Sequence, residues 1–200
     1  RATLERYLPR LLRSEDAQTR AKACNLVGNL CRHSAAFYPA LVEARHGEES
    51  ALACVIRCAS DDDGATRKFA CFALGNAAFH SSDLYAALEP GAPPLCSCLA
   101  NDSDEKARAN AAGALGNLAR NGGGLAAALV AAGAPRALVA AAREDAAAGP
   151  RRIALFSLGT LAAWSAVRRV LEVEPLRSAL STALAAADKS RDATQRKYSA

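Results

Sequence analysis

The chain has 200 residues, of which 51% are hydrophobic but only 5% aromatic, and it carries a net charge of +5. Alanine alone supplies about a quarter of it, so the core must be built from small side chains; this composition excludes intrinsic disorder, which needs low hydrophobicity and high net charge. It also argues against a β-sandwich, because β-branched and aromatic residues are scarce while the best helix former abounds.

In chain order the sequence repeats itself. A block at 23–30 carries the pair Gly28-Asn29. The acidic loop Asp61-Asp62-Asp63-Gly64 leads into a second block at 70–77, with Gly75-Asn76. The pattern then predicts a short helix over 82–88, a Gly91-Ala92-Pro93 turn and a second helix over 94–99. The loop Asn101-Asp102-Ser103-Asp104 and a third block at 111–118, with Gly116-Asn117, complete the unit. The same order returns as 124–131, Gly133-Ala134-Pro135, 136–142, Glu144-Asp145 before Gly149-Pro150, and a fourth block at 154–161 with the degenerate pair Gly159-Thr160.

The pairs are separated by 47, 41 and 43 residues. Helical units of that period belong to armadillo and HEAT repeats, and three helices per unit with a Gly-Ala-Pro turn favour armadillo. Proline suits the first turn of a helix, where its missing N–H costs nothing. Asp and Ser in the acidic loops can cap the helix that follows. The expected fold is all-α: a right-handed armadillo-type solenoid of about four to five repeats forming one domain over 1–200. The repeats fall near 4–46, 47–90, 91–132 and 133–172, with a partial one over 173–200. The first unit lacks its opening short helix, there is no Met, and the chain starts at Arg1. It is therefore expected to be a piece of a longer protein.

Other chemistry is thin. The seven cysteines include Cys54-x3-Cys58 and Cys96-x-Cys98 but no Cys-x2-Cys pair. We read them as buried thiols acting as small hydrophobes, with no metal or cofactor and a cytoplasmic location. No apolar run approaches the roughly 20 residues of a membrane helix; the nearest, 125–142, is broken by Gly133, Pro135 and Arg136. The basic residues are too dispersed for a nucleic-acid footprint. Arg151, Arg152, Arg168 and Arg169, extended by Arg177, Arg191, Arg196 and Lys197, read either as a solvated convex face or as a candidate patch for an acidic partner such as a tubulin tail.

The third helix of each unit carries the functional expectation. At about 100° per residue, Ala70, Leu74, Ala77 and Ala78 share a core stripe, as do Ala111, Leu115, Leu118 and Ala119. Asn76 lies roughly 200° from Leu74, on a face with Phe69, Phe72 and His80. The equivalent faces hold Lys22, Asn25, Asn29 and His33; Asn110, Gly113, Asn117 and Asn121; and Ile153, Phe156, Thr160 and Trp164. Stacked repeats would align these as a ladder of amides and aromatics. Two readings stand: the amides bond the main chain of an extended peptide, or they bond the neighbouring repeat and fix the stacking. Phe72, Phe156 and Trp164 fit a binding face or an inter-repeat core equally. The glycine beside each Asn implies close approach of neighbouring helices, since glycine inside a helix costs about 1 kcal/mol.

Three blocks go beyond generic grammar. Residues 67–85 (Arg-Lys-Phe-Ala-Cys-Phe-Ala-Leu-Gly-Asn-Ala-Ala-Phe-His-Ser-Ser-Asp-Leu-Tyr), 106–121 and 152–161 resemble the C-terminal armadillo region of Fused-type serine/threonine protein kinases. The resemblance covers about 15–172, and Thr160 departs from the usual Asn. It implies a parent with an N-terminal kinase domain, acting in Hedgehog signalling, plant cytokinesis or the central apparatus of motile cilia. The Ala- and Arg-rich composition, suggestive of a GC-rich genome such as those of many flagellated algae, tilts the expectation to the cilium or flagellum axoneme. Partners implied are axonemal or scaffold proteins, tubulin or a kinesin-like protein. Kinase motifs are absent from these 200 residues, so this segment is expected to be non-catalytic, with no small-molecule substrate.

The alternative is a cargo or microtubule-associated adaptor with no attached kinase. An importin-like groove needs Trp four residues before each ladder Asn, where this chain has Asn25, Phe72, Gly113 and Phe156.

Overall fold

The computed structural model describes residues 2–198, and side chains from 5 to 189. The side chains of Arg191, Arg196 and Lys197 lie outside the described residues. Helices α1 (Ala2–Leu11) and α2 (Ala17–Cys31) open the chain. Three sets of three follow: α3 (Tyr38–Glu43), α4 (Ala51–Cys58) and α5 (Gly64–Ala77); α6 (Tyr85–Leu88), α7 (Ala92–Asn101) and α8 (Glu105–Asn117); α9 (Ala126–Ala131), α10 (Ala134–Glu144) and α11 (Ala148–Leu161). Helices α12 (Ser165–Leu171) and α13 (Leu176–Tyr198) close it. The result is a mostly helical repeat solenoid. The expected boundaries at 47, 91 and 133 cut between the first and second helices of a set, so they group the same helices in a different phase.

Local chemistry explains where the helices start. Asp16, Asp63 and Asp104 cap α2, α5 and α8, accepting from Thr19 N at 2.9 Å, Thr66 N at 2.7 Å and Lys106 N at 2.7 Å. Pro93 and Pro135 sit in the first turns of α7 and α10, as the Gly-Ala-Pro turns predict. The first set departs from that grammar. Between α3 and α4 the chain makes a two-residue antiparallel pair, β1 (Arg45–His46) with β2 (Glu49–Ser50). Gly47, at φ +63, allows the reversal. Ser50 then caps α4 by accepting from Ala53 N at 3.1 Å.

The third helices α2, α5, α8 and α11 stack directly on one another, more closely than the second helices do. Their inward stripe is alanine and leucine: Ala70, Leu74, Ala77, Ala111 and Leu115 are all buried. Alanine is what allows the close stack, because larger side chains would push the helices apart. Of the cysteines, all but Cys96 are fully buried. Burial pushes the Cys31 thiol up to about 12 and those of Cys54 and Cys96 to about 11. At neutral pH they remain protonated, weakly polar fillers.

Candidate protein-binding face of the third helices

An arginine at the start of each third helix sets the stack. Arg20 holds Asp61 of the next unit through two bonds, Nε to Oδ2 at 2.7 Å and Nη2 to Oδ1 at 2.8 Å. Arg108 grips Asp145 the same way at 2.6 and 2.8 Å, and Arg67 Nε donates to Asp102 Oδ2 at 2.6 Å. Each arginine also turns Nη1 onto carbonyls of its own preceding loop, Ser14 and Glu15 for Arg20, Asp61 and Asp62 for Arg67, Asp102 and Ser103 for Arg108. The aspartates answer in their titration. At Asp145 the Arg108 bond is the largest influence and holds the carboxyl below its ordinary range. At Asp61 and Asp102 burial pushes upward most strongly, but the arginine bonds and loop N–H groups together outweigh it and the net shift is down.

Glycine sets the spacing. A Cβ on Gly116 would fall 2.5 Å from Ser157 Oγ and 3.1 Å from Ser157 Cα, and one on Gly75 3.4 Å from Ala114 Cα. On Gly28 it would meet the Phe72 ring at 2.4 Å. A Cβ on Gly159 would meet no described neighbouring atom within 4 Å outside its own helix backbone.

The amide ladder takes a definite form. Asn76 Nδ2 donates to Gly28 O at 2.9 Å, and Asn117 Nδ2 to Gly75 O at 2.9 Å. Both side chains thus spend a donor on the preceding third helix, which is the stacking arrangement. Among the described residues neither amide oxygen has a partner. Asn29, on the first of the described third helices, is exposed and bonds Asn25 O and Oδ1 within its own helix. Thr160 is too short to repeat the rung and reaches Phe156 O at 3.4 Å.

The position five residues after each glycine forms a second rung. His80 Nε2 lies 3.0 Å from Arg32 O. Asn121 Nδ2 donates to Ala78 O and Phe79 O, and Trp164 Nε1 to Ala119 O at 2.9 Å. Trp164 also fills the space over Gly123, so its indole belongs to the inter-repeat contact. His33, the first of this series, is exposed. Two tyrosines not singled out from sequence complete the joint. Tyr38 Oη donates to Asn76 O at 2.8 Å and Tyr85 Oη to Asn117 O at 2.6 Å, while His80 N and Asn121 N donate to the two hydroxyls. Their shared register, ten residues after Gly28 and Gly75, was the available signal.

What remains open is a groove of about 520 Å³ across α2, α5 and α8. Asn25, Asn29, Arg32, Lys68, Phe69, Phe72, Lys106 and Asn110 line it. A second hollow of about 320 Å³ continues it past Phe72 to Asn76, Asn117 and Ile153. Phe72 is half-buried and forms the shelf between the two. Phe156 stands apart, 67% exposed. The arginines of the candidate acidic-partner patch divide by role. Arg151 and Arg168 turn Nη1 onto loop carbonyls, Asp145 and Ala146 for the first, Ala162 and Ala163 for the second. Arg152 and Arg169 are exposed on α11 and α12.

A family model described as a HEAT-like repeat matches residues 64–118, which spans α5 to α8. No curated protein matches the chain. Solved structures do. An engineered protein shares 22% identity at a TM-score of 0.74, covering 91% of this chain and 79% of its own. A designed armadillo repeat protein in complex with the peptide (KR)4 shares 22% at a TM-score of 0.70, covering 92% and 82%. Computationally designed armadillo repeat proteins for modular peptide recognition share 22% at 0.68, covering 94% and 82%. At such identities the likeness establishes the fold, an armadillo-type α-solenoid.

Proposed function

We propose that this chain is a non-catalytic protein-binding scaffold that holds an extended segment of a partner protein along its third-helix face. The observation that carries the reading is the open groove over α2, α5 and α8, where the half-buried Phe72 ring lies between side chains able to bond a peptide main chain. Repeat solenoids characteristically bind along extended surfaces of stacked repeats, and a designed armadillo repeat protein of the same fold is held in complex with a peptide, others being designed for peptide recognition.

Peptides selected on this chain from an unbiased display library test the reading. Phe72→Ala is expected to weaken them at least tenfold, while Val139→Ala on α10, in the second-helix layer, leaves binding within twofold. The reverse pattern would remove the groove from the account.

The finer reading is that the scaffold belongs to a Fused-type kinase and serves assembly of the central apparatus of the motile cilium or flagellum. Its support is the resemblance of residues 67–85, 106–121 and 152–161. Tagged parent protein is expected along the axoneme; exclusion from it would remove this assignment.

A further inference from the structure

We infer that the segment held on the third-helix face is acidic. The inference rests on the groove reading above and adds the chemistry of the occupant.

The cations of this molecule divide into two groups. Arg20, Arg67 and Arg108 are consumed by the stack, each paired with an aspartate of the next unit. Arg32, Lys68 and Lys106 line the groove instead. Among the described residues the Arg32 guanidinium and the Lys106 ammonium have no hydrogen-bond or ion-pair partner. Lys68 shares its charge with Asp104 at 3.2 Å and lies 5.3 Å from the centre of the Phe69 ring. Among the described residues no carboxylate lines either part of the groove itself, Asp104 reaching only Lys68. The contrast with the hollow between α10, α12 and α13 is informative, because there Arg136, Arg143 and Arg169 are interspersed with Glu144 and Glu174.

Two unpaired cations, Arg32 and Lys106, flank a shelf of Phe69 and Phe72, while Lys68 is partly neutralised by Asp104; the net field is complementary to carboxylates. The side-chain amides fit a main chain, the rings fit an apolar side chain, and the cations fit carboxylates beside it. Two interaxial steps of 8–10 Å between stacked helices, at about 3.3 Å per residue, correspond to about five or six residues of extended peptide. A Lys-Arg peptide such as the one held by the designed relative would place like charge against Arg32 and Lys106.

Fluorescence anisotropy with three labelled octapeptides, alternating Glu-Leu, Ser-Leu and Lys-Arg, tests this on the full chain. Glu-Leu is expected to bind at least tenfold more tightly than Ser-Leu, with affinity falling as salt rises, and Lys-Arg is expected not to bind. Arg32→Gln with Lys106→Gln should cost Glu-Leu about tenfold. Arg136→Gln with Arg143→Gln, which removes equal charge from the other hollow, should change it less than twofold. If Ser-Leu binds as tightly as Glu-Leu and both are lost with Phe72→Ala, the groove stands and its acid preference is overturned. If Glu-Leu is weakened equally by both charge pairs, or no peptide binds, both the preference and the groove fall.

Discussion

Gly116 and Gly159 occupy equivalent places in consecutive third helices, yet the same substitution is expected to act on them with opposite sign. Alanine at Gly116 gains about 1 kcal/mol of helix propensity. Its methyl would arrive 2.8 Å from Ser157 Cβ and 3.1 Å from Ser157 Cα, against a comfortable carbon–carbon separation of about 3.5–4.0 Å. Rotating Ser157 gives no relief, because those two carbons follow the backbone and Oγ is held by Ala112 O at 2.8 Å. Helices α8 and α11 must therefore part by about half an ångström or more. Overpacking of this kind costs about 1–3 kcal/mol, and weakening the Ser157 bond adds about 1 kcal/mol. The net expectation for Gly116→Ala is a loss of about 1–3 kcal/mol. Gly159→Ala meets no described neighbouring atom within 4 Å outside its own helix backbone and keeps its propensity gain of about 0.5–1 kcal/mol. In a domain of this size, 1 kcal/mol moves the melting temperature by about 2–4 °C. Thermal melts followed by far-UV circular dichroism should therefore rank Gly159→Ala above the parent and Gly116→Ala below it. Ser157→Gly in the Gly116→Ala background should recover part of the loss. Equal stabilisation at both sites would refute the claim that glycine sets the helix spacing.

Other joints make their own predictions. Asn76→Ala with Asn117→Ala breaks two inter-helix bonds and should cost about 1–3 kcal/mol in urea unfolding; an unchanged midpoint would return these amides to a purely binding role. Asp102→Ala leaves Arg67 unpaired beside a site where the carboxylate is 1% exposed. It should cost about 3 kcal/mol, the low end for breaking a buried pair because a quarter of Arg67 meets solvent; a cost under 1 kcal/mol would show the pair to be incidental. Asp61, Asp102 and Asp145 are all held below the ordinary carboxylate range. Their stabilisation is therefore complete above about pH 5, where the unfolded carboxylates are also ionised, and is lost as pH falls through the lower folded values. The urea midpoint should stay level from neutral pH to about 5 and drop below about 4, with Asp145→Asn flattening the drop; a decline beginning near neutrality would contradict this.

The fold was legible because its signals are local. Period, turn residues and caps each act within a few residues, so Asp63, Pro93 and Gly116 could be placed without coordinates. The Asn ladder was only half legible. Helical geometry puts Asn76 on the outward face, but whether its amide meets a ligand or the carbonyl of Gly28 depends on the distance between helices, which no single helix encodes. Arg151 shows the opposite failure. It sits eight residues before Gly159, as Arg20, Arg67 and Arg108 sit before their own glycines. That register marks a loop-bonding arginine, yet a scan for clustered charge places it in a binding patch. Trp164 fits a binding face or an inter-repeat core equally from sequence, and the structure takes the second: Gly123 leaves room for its ring and Ala119 O takes its N–H.

Amide chemical shifts of the chain titrated with the Glu-Leu octapeptide test the central claim most directly. The account predicts that the shifted residues gather on the outward face of α2, α5 and α8, around Asn25, Arg32, Lys68, Phe72 and Lys106. Shifts gathered on α10, α12 and α13, or absent altogether, would contradict it.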